Sequence, residues 1–252
     1  MENTGISFSE EQIKAHIEAL PSPRSNGVKI IFAPTHITEN NLEQVCNLYR
    51  EVVGFHFDTV VVIEPYHAEL PKKIPMASFA EFYTPFGSVP ANEKLRDEFC
   101  DEDDDFFIDD SGVHPNMCFN DHLGVLKVIM ERDFNAVSVQ LADDSTSIVR
   151  ELSSVISELI FGRNILVIFC CDLQPDFVNE FEQMKSILAS GDISRLMNYT
   201  NSGKSKIDGV GVFIAGALVA KDWELDLTFI TEKFEHMRGT SLIAGFAGFQ
   251  KN

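Results

Sequence analysis

The chain has 252 residues, of which 44% are hydrophobic and 10% aromatic, and its 39 acidic residues against 20 basic ones give a formal charge of −19. That apolar share supports a buried core without disulfide staples, and the charge argues against nucleic acid and anionic membrane surfaces as partners, since no basic patch compensates for it. Five scattered cysteines fit a reduced interior rather than a disulfide framework, and with no signal-like leader and no apolar run of ~20 residues the expected location is cytoplasmic.

The expected organisation is one domain over residues 1–252, with an N-terminal helix and linker in 1–27 and an α/β core in 28–252. Ser9 to Gln12 have capping-box form, and Ile13, Ile17 and Leu20 at helical spacing predict a first helix that ends at Pro21-Ser22-Pro23. Residues 28–32 read as a strand. Leu42, Val45, Cys46, Tyr49 and Val52 then place a crossover helix within 39–53, and the β-branched run from Thr59 makes a second strand over 59–64.

These two strands share a plan. Each ends near a proline and delivers a histidine two residues later, Pro34-Thr35-His36 and Pro65-Tyr66-His67. Proline cannot extend a ladder, so both imidazoles are expected just past the carboxyl ends of parallel strands, where ligands of open α/β sheets bind. A metal or proton-transfer site is one reading; loop hydrogen bonding by each ring is the other.

Further along, Thr84-Pro85-Phe86-Gly87 is a turn signal, and a helix with a charged outer face is expected near 92–99. The acidic run 101–105 lacks the spacing of a calcium loop and reads as a solvated loop. A helix capped by Asn120 or Asp121 puts His122 at a helix start, as an acid/base group near the crevice or as a capping and surface residue. Strands follow at 136–141 and 165–171, with an amphipathic helix at 147–160 between them. Asp172 ends the last strand as a crevice carboxylate or an N-cap for a helix that buries Phe177, Phe181 and Met184. Adjacent Cys170 and Cys171 point to opposite faces and read as apolar filler. Gly203-Lys204-Ser205 lacks the first glycine and the strand of a P-loop. Residues 212–220 form a buried helix whose first turn carries Asp208, and 224–230 and 241–249 are late strands, paired as a hairpin or lying side by side. The fold class is therefore α/β, a single domain with a mainly parallel central sheet and helices on both faces, in which 28–32, 59–63 and 165–171 are central strands.

In this order of elements the chain resembles the Memo family, the protein B of AmmeMemoRadiSam systems, whose fold is similar to that of class III extradiol dioxygenases. Ala33-Pro34 with His36 resembles the family's Ala-Pro-His, Glu64-Pro65-Tyr66-His67 its Gly-Pro-x-His, and Thr84-Pro85-Phe86-Gly87 its Thr-Pro-Leu-Gly. Asp121-His122-Leu123 is similar to its Glu-His-Ser-Leu, Cys170-Cys171-Asp172 to its Ser-Ser-Asp, and Asp208-Gly209 stands where the family has Cys-Gly. Two substitutions alter the ligand set: Thr35 holds the place of the first ligand histidine, with His36 one residue later, and Asp208 replaces the ligand cysteine. The resemblance implies a divalent-metal site (Fe, Mn or Zn) with His36, His67 and Asp208 as ligands and His122 and Asp172 as acid/base groups, serving oxidoreductase-type chemistry on a small molecule. The alternative is a non-catalytic, metal-free binding or regulatory protein with an unidentified small-molecule or protein partner.

Overall fold

The computed structural model describes residues 8–23, 27–67, 69–110 and 118–249; the first seven and last three residues of the expected domain lie outside them. Helix α1 (Glu10–Glu18) starts at the anticipated capping box, with the Gln12 N–H donating to Ser9 Oγ and the Ser9 N–H donating to Gln12 Oε1. Strand β1 (Val28–Ala33) leads to α2 (Leu42–Tyr49), extended by a 3-10 turn to Val52, and then to β2 (Thr59–Pro65). Later come β7 (Asn135–Leu141), α5 (Thr146–Ile160), β8 (Ile165–Cys170), α8 (Val210–Asp222), β9 (Asp226–Phe229) and β10 (Gly245–Gly248).

One six-stranded sheet runs in the order β7-β2-β8-β1-β10-β9. β7, β2, β8 and β1 are mutually parallel, whereas β10 lies antiparallel to both β1 and β9. The three expected central strands are central, and the two late strands are sheet neighbours. Near-continuous burial of β1, β2 and β8 follows from helices on both faces. Alternation along each strand divides the core. Phe32, Ile63, Phe169 and Cys171 face α5 and α8, while Ile31, Val62, Ile168 and Cys170 face α1, α2 and α4 (Cys118–Ile129). The solvated-loop reading of 101–105 needs correction at its edges. Helix α3 (Glu93–Glu102) runs into it, and β6 (Phe106–Ile108) follows to pair in parallel with β3 (Ile74–Met76). The turn at Pro85-Phe86 closes a hairpin of β4 (Glu81–Thr84) and β5 (Gly87–Pro90).

After Asp172 a 3-10 turn (Pro175–Phe177) precedes α6 (Val178–Ser190), which buries Phe181 and Met184 as expected but leaves Phe177 exposed. Helix α7 (Ile193–Asn201) was not evident from the sequence; Asp192 caps it by accepting from the Arg195 N–H. Among the described residues, no helix is long and apolar enough to cross a membrane.

Candidate functional site at the carboxyl edge of the sheet

The parallel strands end together, and three chain segments converge there. Gly209 approaches the ends of two of them: a Cβ on it would lie 3.1 Å from the Cys170 carbonyl oxygen and 3.2 Å from Pro65 Cγ, and its φ of +73° is one that glycine adopts without strain. Gly209, not Asp208, is the N-cap of α8, and the Asp144 carboxylate accepts from the Gly211 N–H in that helix's first turn. Asp208 thus stands before the helix rather than in its first turn. Backbone hydrogen bonds of 2.8 and 3.0 Å in both directions bridge it to Asp172, whose carboxylate accepts from the Thr35 N–H, while Gln174 and Phe177 hold the N-cap positions of the 3-10 turn and α6, so Asp172 is not a helix cap either.

From this position Asp208 Oδ1 meets His67 Nε2 at 3.0 Å, with the two side chains 51% and 72% exposed. So open a contact contributes little to stability. Beside it a cleft of about 420 Å³ is lined by Tyr66, His67, Glu69, Lys73, Asp143 and Asp144. Burial raises the Asp144 and Asp172 carboxyls above their ordinary value; the Gly211 and Thr35 N–H groups, respectively, partly offset this. His36 is exposed. It does not join His67 and Asp208: among the described residues, the sets of three metal-ligating groups lying within 4.8 Å of one another are Cys118–His122–Cys170 and Asp103–Asp105–Glu151. The donor set implied by the resemblance therefore does not close into a three-ligand centre.

No protein-family model matches this chain. No curated protein sequence matches it. Among solved structures, the fold is similar to that of the uncharacterized protein JW3007 from Escherichia coli K12, at 11% identity and a TM-score of 0.54, over 87% of this chain and 98% of that one. At that identity the likeness shows the fold alone.

His122 lies elsewhere than a helix start on the surface. The described helix already runs from Cys118, so His122 sits one turn in and is wholly buried. Its Nε2 is 2.9 Å from the Pro34 carbonyl oxygen and its Nδ1 is 2.6 Å from the Tyr49 hydroxyl. A carbonyl only accepts, so Nε2 carries a proton, and in the neutral ring Nδ1 accepts from Tyr49. Burial opposes a charge on the ring, but Cys170 and Asp121 outweigh it and hold the pKa above its ordinary value.

The thiols around His122 were not picked out from the sequence. Burial pushes Cys118 up, whereas the adjoining Cys118 and His122 side chains overcome the same effect at Cys170 and bring it down to about 7. Glu64, buried at the end of β2, is also raised by burial, and it accepts from the Cys118 N–H at 3.1 Å and Gln140 Nε2 at 3.2 Å. The one available signal was Cys118-x-x-x-His122, a spacing that sets two side chains on one helix face.

Proposed function

We propose that this chain is a Memo-like binding protein that takes up a small polar ligand at the carboxyl edge of its sheet through His67 and Asp208, without the family's three-residue metal centre. The observation that carries this reading is that His67 and Asp208 meet while His36 does not join them in a set of three metal-ligating groups. Three carboxylates and one lysine line the adjoining cleft, a balance that suits a ligand bearing an amine or another cationic group. Asp172 borders the same crevice as a proton-holding group, and His122, sealed below it, positions the Pro34 carbonyl rather than touching the ligand.

A second reading keeps a divalent ion, Fe(II), Mn(II) or Zn(II), at the crevice with oxidoreductase-type chemistry. It is supported by the 3.0 Å contact between two donor groups at positions where the resemblance implies ligands. Protein purified without a polyhistidine tag separates the two. On the first reading, His67→Ala and Asp208→Asn leave metal content unchanged and weaken calorimetric binding of an amine-bearing small molecule roughly tenfold, the loss of one charge-assisted contact. Metal lost from both variants would transfer the assignment to the second.

A further inference from the structure

Behind the crevice, four acid or imidazole groups from three elements meet in a dry interior. Cys118 and His122 stand one turn apart on α4. Glu64 and Cys170 each follow directly after the paired residues Ile63 and Phe169 of the neighbouring strands β2 and β8, so they share the face of the sheet toward α4. One ligand atom from each of Cys118, His122 and Cys170 lies within 4.8 Å of the others, and Glu64 Oε2 is 2.7 Å from Cys118 Sγ. None of the four is more than 4% exposed. Among the described residues, no lysine or arginine forms an ion pair with them.

Two thiols, a carboxyl and one imidazole, without a fixed cation, are a costly set to bury ionised and a well-chosen one to place around a divalent ion. Two sulfurs with nitrogen and oxygen donors match a borderline-soft, tetrahedral ion rather than a hard one such as magnesium or calcium. The His122 Nε2–H bond to the Pro34 carbonyl is the kind of outer contact that orients a ligating imidazole and leaves Nδ1 as the donor. We propose that Cys118, Cys170 and His122, with Glu64 as fourth donor, form a closed zinc-type site that ties helix α4 to the ends of β2 and β8. Binding releases the two thiol protons, and the Tyr49 hydroxyl gives up its bond to Nδ1. The site is separate from the crevice pair and stands whether or not the ligand-binding reading holds.

The test uses full-length, tag-free protein expressed with zinc and kept reduced. The expected result is one zinc per chain after dialysis, released in step with thiol modification by a mercurial, and a thiolate-to-cobalt charge-transfer band after exchange with Co(II). Cys118→Ser and Cys170→Ser should each lower zinc content at least tenfold, while His67→Ala retains it. Should the serine variants fail to fold, the mercurial titration and the cobalt spectrum of the unmodified chain decide alone. Zinc-free protein with no thiolate band, or zinc that departs with His67→Ala, overturns the proposal.

Discussion

Glu151 shows how a single carboxyl can make stability depend on pH. It lies on α5 against Asp103 and Asp105 at the end of α3, and burial, followed by those two carboxylates, pushes it up to about 8 from an ordinary 4.5. The folded state holds this proton more tightly than the unfolded chain does. The resulting stabilisation is fully present below pH 4.5 and is lost as the pH rises through about 8. Glu151→Gln keeps the shape and removes the titration, so its urea midpoint should exceed that of the unmodified protein at pH 8 and approach it near pH 4.5. Parallel midpoints across that range would show that Glu151 ionises freely.

Between elements, two contacts hold the sheet and its helices in place. Gln44 on α2 is fully buried and bonds Ser241 twice, donating to its carbonyl at 2.8 Å and accepting from its N–H at 2.9 Å. It therefore pins the segment leading into β10. Gln44→Ala leaves both backbone groups buried without partners, and denaturant unfolding should record a loss of about 2–4 kcal/mol. On the other face, α8 packs close to the sheet at Gly216, where a Cβ would stand 2.6 Å from Phe32 Cε1 and 2.7 Å from Phe169 Cγ. Those two rings stack with centroids 5.8 Å apart and have little room to yield. Overpacking costs ~1–3 kcal/mol, against the 0.5–1 kcal/mol that alanine gains over glycine inside a helix. Gly216→Ala should accordingly unfold at lower denaturant, and an unchanged midpoint would mean that α8 can lift away freely.

For the whole molecule, charge governs behaviour more than any single contact. A formal charge of −19 disfavours the compact state through self-repulsion, and salt screens it within a Debye length of about 10 Å at 0.1 M. Thermal midpoints should thus rise with added sodium chloride at neutral pH. The same charge predicts no salt-sensitive association with random DNA in fluorescence anisotropy at micromolar protein. Binding that weakens as salt increases would reveal a basic surface absent from this reading.

Much of the architecture was written locally. Apolar runs beginning at Val28, Thr59 and Ile165 are strands because β-branched and aromatic side chains favour a pleated surface, and their lack of alternation already implied helices on both sides. The capping box at Ser9 and the proline-ended strands were legible for the same reason, since each depends on neighbours within a few residues. Long-range assembly decided the rest. Nothing local distinguishes Asp208 as a helix cap from Asp208 as the partner of His67; Gly209 pressing against Cys170 and Pro65 settles its place. Cys170 reads as apolar filler because a strand residue's neighbours on the next layer are invisible in sequence. Only the packing of α4 over the ends of β2 and β8 gathers Cys118, His122, Cys170 and Glu64 at one buried point.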